Sequence, residues 1–242
     1  MIKGLLFDLN GTVIDILTDE TDPAIYRATA NFLSYYGVEI SPDCLKEMYF
    51  ELNKKQRKNS LEEFPEFDVE KIFSSIIESF AGNTESVFPG LAACAARVFR
   101  GASRHQLQPY CGVNDVLDQL KTKYRLAAVS DGQSLWAVPE LESAGLSHYF
   151  SSVTVSGDLG FRKPDIRIFQ EGLRKLGLES HEVIFVGNDM YRDVYGAALA
   201  GMKTVFFKSN QGDHSFHGRE PDYIIYDFRE LPRAVEFLEN RS

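Results

Sequence analysis

The chain has 242 residues, 44% of them apolar, with 35 acidic against 26 Lys and Arg side chains and a formal net charge of −9. That is enough chain for one large domain or for a core carrying an insert, and the acidic balance excludes a general nucleic-acid-binding surface, which needs concentrated positive charge. Cys44, Cys94 and Cys111 have neither CxxC nor Cys/His ligand spacing, so they point to reduced thiols and exclude a disulfide framework or a zinc site.

Met1 to Phe7 is a short apolar run that meets Asp8 before a signal-peptide core could be completed, and it is expected to be a first buried strand. No stretch approaches the roughly 20 apolar residues of a membrane-spanning helix, so the expected location is cytoplasmic, without a membrane partner. Between Thr18 and Gln108 strand character gives way to helical spacing: Ile25, Thr29, Phe32, Leu33 and Tyr36 fall on one face, and Gly37 stops the run. Further helices are expected over Pro42 to Lys58, Val69 to Phe80 and Val87 to Arg104, separated by joints such as Glu62-Glu63-Phe64-Pro65-Glu66. The expected organisation is therefore an all-helical insert over residues 18–108 between core segments 1–17 and 109–242.

From Pro109 onward short apolar runs alternate with helical spacing. Strands are expected at Leu126–Val129, Ser152–Val155, Val183–Val186 and Thr204–Phe207, with helices at Val113 to Lys123, Trp136 to Ala144, Asp165 to Leu176 and Arg192 to Ala200. This alternation predicts an α/β fold, a Rossmann-like doubly wound parallel sheet with right-handed crossovers. Asn210 to Gly218 reads as a flexible surface loop. Ligands bind such sheets at the carboxyl ends of the strands, where Asp8, Ser130, Lys163 and the pair Asn188/Asp189 fall. Singly, each is as well explained by solvation or helix capping; their recurrence at strand ends marks them as a set. The histidines, His105, His148, His181, His214 and His217, do not gather there.

Four segments in order, Phe7-Asp8-Leu9-Asn10-Gly11-Thr12, Ala128-Val129-Ser130-Asp131-Gly132, Phe161-Arg162-Lys163-Pro164-Asp165 and Val186-Gly187-Asn188-Asp189 with Asp193, Gly196 and Ala197, resemble the four motifs of the haloacid dehalogenase-like superfamily in its helical-cap branch. The resemblance implies a magnesium-dependent phosphatase acting on a small phosphorylated molecule, with Asp8 as nucleophile forming an aspartyl-phosphate. It implies Mg²⁺ held by Asp8, the main-chain carbonyl of Asn10 and a motif-four carboxylate. Ser130 and the amides of Asp131 and Gly132 are expected to bind the phosphoryl oxygens, and Lys163 to bring positive charge to nucleophile and substrate. Because Lys163 lies in a loop, its charge is expected to matter more for binding than for folding. The family commonly carries an aspartate directly after the motif-four glycine, where this chain has Asn188; the interval from Asp189 to Asp193 favours Asp189 as the ligand and Asp193 as its supporting group.

The departure that bears most on chemistry is Asn10. Phosphatases resembling this chain carry there a second aspartate that protonates the leaving oxygen, and an amide cannot give and regain a proton. Three explanations stand open: a leaving group that needs no protonation, an acid from elsewhere such as Asp15 or a cap residue, or a non-catalytic phosphate-binding role. A metal-independent haloacid dehalogenase is the alternative of another reaction class, with Arg27 as its only candidate arginine. In the cap, which the resemblance describes as a mobile lid, Asn53-Lys54-Lys55-Gln56-Arg57-Lys58 is a basic run that is either a solvated helix face or a contact for a distal anion.

Overall fold

Successive residues of a strand face opposite sides of a sheet, and the first strand, β1 (Gly4–Phe7), does so inside the molecule: Leu5 and Phe7 enter one apolar cluster and Leu6 another, all fully buried. The computed structural model describes residues 1–81, 88–215 and 217–241. Beyond β1 it contains β4 (Arg125–Ser130), β5 (Val153–Val155), β6 (Val183–Gly187), β7 (Lys203–Phe207) and β8 (Tyr223–Ile225), which join β1 in a six-stranded sheet ordered β5-β4-β1-β6-β7-β8. All neighbouring pairs are parallel, and Leu5 lies level with Leu126 on one side and Ile184 on the other. Such a sheet is covered on both faces, which is why its strands read as continuous apolar runs.

One face is covered by α5 (Val113–Leu120) and α9 (Leu231–Glu239), which bring Val116, Leu117, Ala234 and Val235 against Phe7, Ala128 and Val186. The other is covered by α7 (Ile166–Leu176), whose Ile168, Phe169 and Leu173 pack on Leu6, Val129 and Phe185. Asp165 caps α7 through the amide of Arg167, and Gly177 ends it in the left-handed region. Motif three precedes it, with a cis peptide bond between Lys163 and Pro164.

The helices α1 (Pro23–Ser34), α2 (Pro42–Asn59), α3 (Val69–Ala81) and α4 (Leu91–Ser103) bury a separate apolar cluster that includes Tyr26, Tyr49, Phe73 and Phe99. Asp22 and Ser41 cap the first two, each followed by proline in the first turn. The expected helix start at Val87 lies outside the described residues. The expected helical end at Arg104 is corrected: Arg104–Pro109 is a strand, β3, paired antiparallel with β2 (Ile14–Thr18). These two strands run between the sheet and the helices, each satisfying the other's backbone groups, a pairing that local spacing cannot announce because the partners lie some 90 residues apart. The segment over 192–200 begins as a π-helical turn, Met190–Tyr195, before α8 (Gly196–Leu199).

One element belongs to both clusters. α6 (Ser134–Ser143), which follows motif two, sends Trp136 into the apolar cluster of the helices, where its indole N–H donates to Ala96 O (3.0 Å) and its ring stacks with Phe99.

Candidate active site

The chain leaves β1 at Asp8 and turns at once: the amides of Thr12, Val13 and Ile14 all donate to Leu9 O. Gly11 has φ of 86°, and a Cβ there would lie 2.3 Å from Asn188 Nδ2, so both its backbone conformation and its closeness to motif four require glycine. Thr12 then points back, its hydroxyl 3.1 Å from Asp8 Oδ2 and 3.0 Å from Asn188 Oδ1. One hydroxyl thereby ties the ends of β1 and β6 together.

Lys163 lies across the other oxygen of Asp8. Its Nζ is 2.6 Å from Asp8 Oδ1 and 2.6 Å from Asp193 Oδ1, and the whole side chain is buried. Burial works to lower the Lys163 pKa, but Asp193, Asp8 and Asp131 outweigh it and hold the ammonium charged. Burial raises the Asp193 carboxyl, against the pull of Lys163; its second oxygen accepts from the amides of Asn188 and Asp189, both at 3.0 Å. Asp193, held by these two amides, thus keeps Lys163 in place against Asp8.

Asp8, Asn10, Asp131, Gly132, Lys163 and Asn188 line one end of a cavity of about 420 Å³, and Glu20, Asn53, Arg57, Glu66, Arg100 and Trp136 line the other. Motif two divides within it. Asp131 and Gly132 reach the cavity, whereas Ser130 does not line it and turns its hydroxyl to Asp131 O (3.3 Å). The Asp131 carboxylate accepts from the Lys163 amide (2.9 Å) and pairs with Arg162 (3.3 Å), so it latches motif two to motif three.

In motif four, the structure places the Asp189 carboxylate among groups other than Asp8. Its Oδ1 accepts from the amides of Tyr191 and Arg192, capping the π-helical turn, and its Oδ2 is held by the Arg192 guanidinium (2.8 Å) and the Asp213 amide (3.1 Å). Burial pushes the Asp189 carboxyl up, but its bonds to Arg192 outweigh this and hold it below the usual carboxylate range. It does not line the cavity; Asn188 does. The reason is backbone direction: residues following one another out of a strand point opposite ways, and the loop at Gly212 closes over Asn188 from the far side.

The other residues named from the sequence also find definite places. Asp15 is hydrogen-bonded by Gln106 (2.5 Å) and Gln211 (2.9 Å) and does not line the cavity. Arg27 is exposed on α1. Within the basic run on α2, Lys54, Lys55 and Lys58 are exposed, and only Asn53 and Arg57, one helical turn apart, reach the cavity. Arg162, Arg192, Glu20 and Arg100 were not singled out by the sequence; the one available signal was the arginine beside Lys163 in motif three.

Hard oxygen donors suit magnesium, which keeps several waters and takes few carboxylates. Asp8 and the Asn188 amide oxygen share the Thr12 hydroxyl, and Asn10 lines the same end. Among the described residues no three His, Cys, Asp or Glu side chains gather as a metal cage, so a cation here would draw on the Asn188 amide oxygen and a main-chain carbonyl besides Asp8.

The chain is similar to known proteins along most of its length. A glyceraldehyde 3-phosphate phosphatase from Methanothermobacter thermautotrophicus is 27% identical over 86% of this chain and 87% of its own. A phosphoglycolate phosphatase from Agrobacterium fabrum is 26% identical over 95% and 91%. Among solved structures, a 2-haloacid dehalogenase from Pseudomonas syringae superposes with a TM-score of 0.71 at 24% identity, covering 98% of this chain and all of its own, a likeness of fold. The sequence model of the haloacid dehalogenase-like hydrolases matches residues 5–207, with all four motifs inside the match, and the chain belongs to that family.

Proposed function

We propose that the protein is a magnesium-dependent phosphatase of small phosphorylated metabolites, working through an aspartyl-phosphate on Asp8. The observation that carries the reading is the bridge Asp8–Lys163–Asp193, with both contacts at 2.6 Å in a buried setting. It gives a carboxylate at the end of the central strand, held by Lys163 and Thr12, and a fixed positive charge beside the place where phosphoryl charge would gather. The phosphatase names of the curated relatives support it.

In the first step an Asp8 oxygen forms a bond to phosphorus as the bond from phosphorus to the leaving oxygen breaks. In the second, water attacks the same phosphorus and the aspartyl oxygen departs with its electron pair, releasing inorganic phosphate and restoring Asp8. Lys163 offsets charge in both steps, and the Asp131 amide would donate to the phosphoryl oxygens, whereas the Gly132 amide, expected to join it, already donates to Ser156 Oγ (2.8 Å). A bound magnesium ion supplies Lewis-acid screening of the carboxylate–phosphate repulsion; Asp8, the Asn10 carbonyl and Asn188 Oδ1 would hold it. The proposed working units are a core of residues 1–17 and 109–242 and a helical cap of residues 18–108.

The test is Asp8→Asn, assayed on p-nitrophenyl phosphate with magnesium and with EDTA. Turnover should vanish in the variant and in EDTA, return on adding magnesium to the wild type, and leave no phosphorylated mass adduct on the variant. Sustained turnover by Asp8→Asn overturns the reading.

A further inference from the structure

We propose, on the phosphatase reading of the site, that the cap end of the cavity is built for a neutral, hydroxyl-bearing organic group, so that the substrates are phosphate monoesters of small polyols or sugars and not of carboxylic acids. The argument is one of charge balance. Arg57, Arg100 and Arg162 bring positive charge to this end, and each already has a carboxylate partner. Arg57 Nη2 is 3.4 Å from Glu66, Arg162 Nη2 is 3.3 Å from Asp131, and Arg100 grips Glu140 with two bonds of 2.6 and 3.2 Å. Arg192, which also lines the cavity, is held by Asp189 (2.8 Å), so four arginines are matched by four carboxylates, and the exposed lysines of α2 do not line the cavity.

Glu20 is left over. It lines the cavity, makes no ion pair among the described residues, and accepts a hydrogen bond of 3.3 Å from the neutral Tyr49 hydroxyl. A distal carboxylate on the substrate would leave water for a space without a surplus cation and would face a like charge, which is costly. Of the two readings of the basic run, this argues for the solvated helix face over a distal-anion contact.

Hydroxyl groups meet the opposite situation. Asn53 Oδ1 already accepts from Arg57 Nε (3.0 Å), which leaves the Asn53 amide N–H groups as donors. Arg57 Nη1 has no hydrogen-bond partner among the described residues, and Glu20 can accept. Donors and acceptors without countercharge are what an uncharged polyol satisfies, and a site built to bond hydroxyls discriminates strongly against ligands that leave such groups unpaired. Burial raises the Glu20 pKa, against the pull of Arg100, the Tyr49 hydrogen bond and Arg57.

The experiment compares kcat/KM for glycerol 3-phosphate with 3-phosphoglycerate and for glycolaldehyde phosphate with phosphoglycolate, with p-nitrophenyl phosphate as a reference for the phosphoryl end. Each pair differs in the terminal oxidation level, so size is nearly matched. The polyol or aldehyde member should be preferred by tenfold or more. Glu20→Gln removes the like charge and should narrow that ratio by about tenfold, and Asn53→Ala should lower kcat/KM for the uncharged members selectively. Equal or better turnover of the carboxylates while p-nitrophenyl phosphate is hydrolysed overturns the inference alone. Failure to hydrolyse any monoester, the aryl ester included, overturns the phosphatase reading and the inference with it.

Discussion

At the scale of single residues, the chemistry turns on Asn10 and Lys163. Asn10 lines the phosphoryl end of the cavity, and an amide there cannot serve as proton donor to a departing alkoxide. Asp15, an acid that could replace it, is bonded by Gln106 and Gln211 and does not line the cavity. Asn10→Asp is therefore expected to raise turnover of alkyl phosphates on the order of 10²-fold and to change that of aryl or acyl phosphates little. Steady-state rates on a matched alkyl and aryl ester decide it; an equal effect on both means that leaving-group protonation is not the limitation.

The loop position of Lys163 suggests a residue dispensable for folding, whereas its burial argues that folding needs it. A loop can be buried, and here it places the ammonium between two carboxylates with almost no solvent contact. Lys163→Met would leave Asp8 and Asp193 facing each other without their cation. Breaking such a buried arrangement costs about 3–5 kcal/mol, which for a chain of this size is a fall in Tm on the order of 10 °C. Thermal unfolding followed by circular dichroism checks this, and an unchanged Tm shows that the two carboxylates accommodate each other by taking up a proton.

At the scale of elements, the helical layer is fastened to the sheet through the segments that carry the motifs. Gln133, directly after motif two, accepts from the Val69 amide (3.1 Å) and donates to Phe67 O (2.6 Å). The joint at 61–67 runs against motif three: the Glu66 amide donates to Gly160 O, the Arg162 amide to Phe64 O, and Glu66 Oε2 accepts from Ser156 (2.8 Å). Trp136, the only tryptophan, completes the fastening from within the helical cluster. A lid that swings freely would have to expose that indole. Acrylamide quenching of tryptophan emission should accordingly be weak and alike with and without bound phosphate; strong quenching in the ligand-free protein alone would reveal an opening cap.

At the scale of the whole molecule, the same shared residue predicts how the chain unfolds. Because α6 begins at the active site and ends in contact with α4 through Arg100 and Glu140, the two apolar clusters have no independent boundary there. Calorimetry should show one cooperative transition, with calorimetric and van't Hoff enthalpies in agreement; two resolved transitions would show that the helical layer melts by itself. No helix among the described residues is long and apolar enough to cross a membrane.

What the sequence determined by itself was whatever depends on neighbours along the chain. The parallel strands were legible because burial on both faces leaves apolar runs, and Asp8, Lys163 and the motif-four pair because each follows such a run. The exceptions also followed this rule: β2 and β3 make their bonds to each other across the whole helical segment, and β8 and α9 pass without an emphatic local pattern. Only the tertiary structure decided that Asn188 and not Asp189 faces Asp8, that Ser130 turns away, and that Arg57 of the basic run reaches the cavity while its lysines stay in solvent. These are matters of direction and of charge partners brought from distant segments. A one-residue shift at the end of a strand reverses where a side chain points, and the charge left at a site depends on every group packed around it, which spacing along one chain does not record.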